Sequence, residues 1–160
     1  MTYSLVDTLV GAQPIAVTDT VQNHVLGKRV KAYDPTYGEG EFIYLAGVAS
    51  TAVGDVVAFD EKAGTTTRTL AATRGPAAVA MSANVASQYG WYQVFGSAVV
   101  TSGTVAAGAA AFSTATAGSI DDAVVTGSKI DGMVTKTANG TPSAGLSVCQ
   151  IAYPSLNGNG

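Results

Sequence analysis

The chain is expected to fold as one all-β domain, a jelly-roll-like sandwich or small β-barrel with an extended N-terminal arm. Three observations lead there. Val, Thr, Tyr and Phe gather in short runs from about residue 41 onward. Glycine recurs between those runs, roughly every 8–14 residues, which is the rhythm of strands and turns. No stretch carries apolar residues at helical spacing. The Ala-rich segment 106–112, AAGAAAF, is interrupted by glycine and flanked by Thr and Val, so it too reads as strand and turn.

Residues 1–40 differ from the rest. Short apolar runs alternate with polar breaks, and Pro14, Gly27 and Pro35 interrupt them, so the segment is read as an extended arm or edge strand. The β domain is set at 41–153. Its first strong strand is 41–48, followed by 55–60, which the turn Glu61-Lys62-Ala63-Gly64 leads into 65–71. Thr73-Arg74-Gly75-Pro76 breaks the chain before 77–83. The run 91–101 is the longest and is apolar on both alternating faces, as in a strand covered on two sides. Segments 109–114, 123–126, 132–136 and 146–152 complete the strands, and 154–160 reads as a loose tail. A faint repeat runs through the domain. VGDVVAFDEKAG at 53–64 is similar to AAGAAAFSTATAG at 106–118, and SANVASQYGWYQV at 82–94 to TANGTPSAGLSVC at 137–149, an offset of 53 to 55 residues.

The totals exclude several function classes. The chain has 160 residues, 47% hydrophobic and 12% charged, with net charge −3. That is one domain's length with about half the usual charge fraction. No basic cluster exceeds GKRVK at 27–31, so the phosphate-neutralising stripe of a nucleic-acid binder is missing. One cysteine, Cys149, rules out an internal disulfide, and one histidine, His24, leaves a Cys/His zinc site without ligands. The N-terminus lacks a basic n-region, and no apolar run approaches the ~18 residues of a membrane-spanning helix.

Each candidate for chemistry meets a plainer explanation. Glu39 and Glu41 share one strand face and are able to act as a carboxylate pair, but GEGEF also reads as a solvated strand start. Asp121, Asp122 and Asp131 flank AVVTGSKI; adjacent residues on an extended chain point apart, which favours a polar turn with Lys129 nearby. His24 and Cys149 lie at opposite ends with no local catalytic signature, and Cys149 sits in a strand pattern as a small buried hydrophobe. Asn139-Gly140-Thr141 is a formal sequon but reads as a turn. Trp91 is assigned to the core ahead of an exposed carbohydrate platform. No enzyme activity, metal or cofactor is expected.

Three stretches, DPTYGEGEFIYLAGVASTAVGDVVAFD at 34–60, YGWYQVFGSAVV at 89–100 and IDGMVTKTA at 130–138, resemble the capsid decoration, or cement, proteins of tailed bacteriophages. The resemblance covers about residues 30–152. It implies a virion structural protein, made in the host cytoplasm, which sits on the outer capsid surface as a dimer or trimer and clamps neighbouring copies of the major capsid protein. It also implies a jelly-roll or related barrel fold. The resemblance fixes no contact residues; Tyr37, Phe42 and Tyr44 are the candidates, with core packing the expected role of at least one of them. The alternative is a carbohydrate- or receptor-binding β-module of a phage particle. Neither nucleic acid nor membrane is expected as a partner.

Overall fold

The computed structural model describes residues 3–5 and 13–157. Residues 1, 2 and 6–12 of the expected arm and 158–160 of the expected tail lie outside them. The described residues form eleven strands and no helix: β1 (Ser4–Leu5), β2 (Arg29–Asp34), β3 (Gly38–Ala46), β4 (Val56–Phe59), β5 (Thr66–Arg68), β6 (Gly75–Ala80), β7 (Tyr89–Thr101), β8 (Ala110–Ser113), β9 (Ile120–Asp121), β10 (Lys129–Thr135) and β11 (Leu146–Leu156). Every pairing between these strands is antiparallel. The all-β class read from the sequence is the fold observed.

The pairing pattern is duplicated. In one half the order is β5-β4-β6-β7, and in the other β9-β8-β10-β11. Individual hydrogen bonds repeat with it. Gly54 N–H donates to Ala80 O and Ala80 N–H to Asp55 O; Gly108 N–H donates to Thr135 O and Thr135 N–H to Ala109 O. These pairs stand 54 to 55 residues apart, the spacing of the sequence repeat. β7 and β11 join the halves along seven paired residues, Thr101–Phe95 against Leu146–Ala152.

Three strands meet at one corner. β6 pairs with β7 through Val79 and Ala80, β7 pairs with β11, and the end of β11 pairs back onto the start of β6 through Ser155 and Leu156. Each must leave one neighbour for the next, which demands a local kink. Each carries one residue in the left-handed region: Gly75 at φ 115°, Gly96 at φ 104° and Tyr153 at φ 48°. Gly96 is constrained twice, since a Cβ there would stand 2.6 Å from Glu39 O. Gly96→Ala should therefore destabilise the fold by about 1–3 kcal/mol. Gly38→Ala, at φ 81° with nothing within 4 Å, should lose only the backbone preference, about 1 kcal/mol. Urea midpoints of the two variants check this order.

Burial follows the strand pattern. VVAF of β4 and GPAAVA of β6 are near-continuous apolar runs because both faces are covered. On one face Val56, Ala58, Ala77 and Val79 meet Ile130, Met133, Cys149 and Ile151 of the second half. On the other, Val57, Phe59, Ala78 and Ala80 meet Ile43, Leu45, Tyr92 and Val94. The run β3-β7-β6-β4-β5 curls until its ends touch: Ala46 N–H of β3 donates to Gly64 O at 2.9 Å, and the Thr66 hydroxyl of β5 to Ala46 O at 2.7 Å. A third cluster, Ile15, Val30, Ala32, Phe42, Tyr44, Met81 and Trp91, lies under the N-terminal segment.

Three boundaries differ from the sequence reading. The division at residue 40 falls inside β3, and β2 is a full member of the sheet, paired with β3 along six residues. Residues 154–156, expected in the tail, end β11, with Pro154 and Leu156 buried. The expected strand 123–126 is a turn, because the Asp121 and Asp122 carboxylates accept the N–H groups of Ala123 and Ala106 and stop the strand at Asp121.

Candidate functional site

Two surfaces stand out, on opposite faces of β2–β3–β7. Alternate residues of a strand point to opposite sides. Val30, Ala32, Phe42 and Tyr44 face the third cluster, while Arg29, Lys31, Glu39 and Glu41 face away from it.

The first surface is the segment 13–28, which has no regular structure yet is pinned at many points. Asp19 exchanges two backbone hydrogen bonds with Tyr89, at 2.8 and 2.9 Å. The buried Asp19 carboxylate accepts the Tyr44 hydroxyl at 2.5 Å and the Gln13 amide, and Gln13 Oε1 meets His24 Nε2 at 2.6 Å. The His24 ring packs on Tyr44 and Trp91, with centroids 5.1 and 5.4 Å away. Burial, reinforced by the hydrogen bond to Asp19, pushes the Tyr44 phenol up to about 12, so it stays protonated and donating. Outward from this anchored segment point Val17, Val21 and Val25, the last two 70% and 77% exposed. From residue 13 to 27 there is no Lys or Arg, and the single carboxylate, Asp19, is buried. The surface is pinned, poor in charge and partly apolar.

The second surface is built from a row of paired residues across four strands, Lys31, Glu41, Phe95 and Ala152. Tyr153 joins it from the strand corner. Its hydroxyl donates to Glu41 Oε2 at 2.8 Å, its ring lies against Phe95 with centroids 5.6 Å apart, and the Arg29 guanidinium sits over it at 5.8 Å. The hydrogen bond to the Glu41 carboxylate raises the Tyr153 phenol above its ordinary range. Arg29 also bonds Glu41 at 3.0 Å and approaches Glu61 at 3.8 Å, while Lys31 approaches Glu39 at 3.7 Å. Phe95 and Tyr153 remain 40% and 54% exposed.

The three expected contact residues are placed differently. Phe42 and Tyr44 are fully buried and hold the N-terminal segment down, so neither offers a surface to a partner. Their alternation with Glu41 and Ile43 on a strand covered on both sides explains it. Tyr37 sits at the β2–β3 turn and lines an apolar cavity of about 400 Å³ with Tyr3, Met81, Val99 and Leu146. Glu39 and Glu41 do share a face, where each has a cationic partner. Asp121, Asp122 and Asp131 bond to separate backbone and side-chain groups, and among the described residues no three His, Cys, Asp or Glu side chains converge. Cys149 lies in the central cluster, where burial pushes its thiol up to about 11, and His24 lies in the third cluster's cover. Trp91 is core, as expected. Phe95, Tyr153 and the outward valines were not singled out from the sequence. No local signal marks them, since a valine in a polar loop and an aromatic in a strand look alike whether covered or bare.

Compared with protein-family models, curated proteins and solved structures, the chain matches none.

Proposed function

We propose that the chain is a non-enzymatic virion structural protein. It binds the outer surface of an icosahedral phage capsid, as a homo-oligomer, and cements neighbouring copies of the major capsid protein. The observation that carries this reading is the pinned segment 13–28, without Lys or Arg through residue 27, and its outward valines. A surface held in one conformation before contact loses little entropy on binding, and apolar side chains without charge suit a protein lattice rather than a polyanion. The sequence resemblance to decoration proteins points the same way. A protein that prefers assembled shell to dispersed subunits stabilises the shell by mass action. Oligomers touching several subunits need only modest contacts at each.

Purified protein added to undecorated capsids of the source phage should sediment with them at a fixed, saturable copy number. Binding should vary little with salt, since no ion pair carries it. The double substitution Val21→Asp, Val25→Asp should leave stability within about 0.5 kcal/mol, because both side chains are exposed. It should weaken capsid binding by tenfold or more, about 1.4 kcal/mol, by placing two carboxylates in an apolar contact. Unchanged binding by this variant would remove segment 13–28 from the contact. The carbohydrate- or receptor-binding alternative draws on the other surface, around Phe95 and Tyr153, and does not compete for the segment.

A further inference from the structure

We propose that the face formed by Phe95, Tyr153, Arg29 and Glu41 binds a neutral saccharide. The inference rests on side-chain geometry and does not depend on the lattice reading, which concerns the opposite face of the sheet. Saccharide recognition needs an apolar ring surface for the C–H face of a pyranose, and a few polar groups held in place for its hydroxyls. Both are present. Phe95 and Tyr153 expose adjacent rings inclined at 35°. Around them the polar groups are fixed by one another. Glu41 accepts from Arg29 through Oε1 and from Tyr153 through Oε2. A carboxylate has about four acceptor positions and a guanidinium five N–H donors, so each keeps capacity beyond these contacts. A shallow hollow of about 210 Å³ lies beside them, lined by Arg29, Val30, Lys31 and Glu41.

The paired charges favour a neutral ligand over an anionic one. Arg29 and Lys31 stand against Glu39, Glu41 and Glu61, each cation within 4 Å of a carboxylate. An anionic sugar or phosphate needs an uncompensated cation, and Arg29 and Lys31, the cations beside the two rings, are each paired with carboxylates; Lys136, two residues further along β7 and β11, is held by Ser97 and Gln150. On the same face of β2 stands Tyr33, exposed, two strand spacings across and two residues along from Phe95, on the order of 12 Å. That distance suits a short oligosaccharide better than a single sugar. Tyr153 is itself held at φ 48°, an unusual state for a bulky residue and one that persists where surrounding structure enforces it.

The test is saturation-transfer NMR on the intact protein, with maltotetraose, cellotetraose and mannotetraose as the probes. At least one probe should receive saturation on its ring C–H protons, with the same affinity at low and high salt. Phe95→Ala and Tyr153→Ala should each weaken that binding about tenfold, whereas Tyr153→Phe, which keeps the ring, should stay within about threefold. Tyr153→Gly serves as the folding control, since glycine adopts positive φ without strain; it should keep the native amide spectrum and lose the saturation transfer. No transfer to any of the three probes would overturn the proposal. So would transfer that survives removal of both rings, or binding that fades as salt is raised.

Discussion

Asp55→Ala is expected to lower the stability of the fold by about 3 kcal/mol, a fall in Tm of about 6–12 °C for a chain of this size. The Asp55 carboxylate is buried and ties three parts of the chain together. Its Oδ2 accepts Arg68 Nε at 2.8 Å and Ala52 N–H at 3.0 Å, and Arg68 Nη2 donates onward to Ala117 O at 2.7 Å. Loop 116–118 packs so closely that a Cβ on Gly118 would stand 2.6 Å from the Asp55 carboxyl carbon. Truncation leaves a partly buried guanidinium without its anion, the larger share of the loss. Arg68 keeps a quarter of its side chain exposed, which holds the figure at the low end of the usual range. Asp55→Asn, able to accept from Ala52 but without charge, should fall between alanine and wild type. Urea unfolding of the three proteins checks the order; equal midpoints for Ala and wild type would show that the pair contributes nothing net.

Trp91→Ala should have an effect of similar or larger size, about 3–5 kcal/mol, and a distinct local signature. Trp91 is fully buried, packs edge-on to Tyr44 at 5.1 Å, and underlies His24. Removing it takes away the floor on which segment 13–28 rests. Trypsin cleavage after Lys28, the last residue of the segment, should accelerate more than cleavage after Lys129 in the second half. Trp91→Phe should cost much less, because an aromatic ring is retained and the indole N–H, which has no acceptor among the described residues, disappears. Equal acceleration at both sites in Trp91→Ala would mean global loosening and no special link to the segment.

The strands with the plainest patterns were legible in the sequence, and so was the duplication. FIYLAGV and VVAF are apolar at every position, and WYQVFGSAVV at all but Gln93 and Ser97, because their strands are buried on both sides. The repeat was visible in short glycine-centred matches because the left-handed or closely packed turns that need glycine recur in both halves, as at Gly54 and Gly108. Two-sided burial also misled. Phe42 and Tyr44 stand next to a polar arm, which makes them contact candidates as well as core candidates, and the arm's return over them makes both core. β2 was obscured because RVKAYD alternates small buried residues with charges and ends near Pro35. The Tyr153 site depends on residues 112 positions apart, Glu41 and Tyr153, so no local pattern announces it.

Whether the chain binds the outer shell through segment 13–28 is read directly from a cryo-EM reconstruction of undecorated capsids incubated with the purified protein. Ordered density is expected at a fixed set of positions on the outer shell, with segment 13–28 against the capsid subunits and Phe95 and Tyr153 turned to solvent. Capsids that show no added density at saturating protein, or density in which Phe95 and Tyr153 are buried against the shell while Val21 and Val25 face outward, would contradict it.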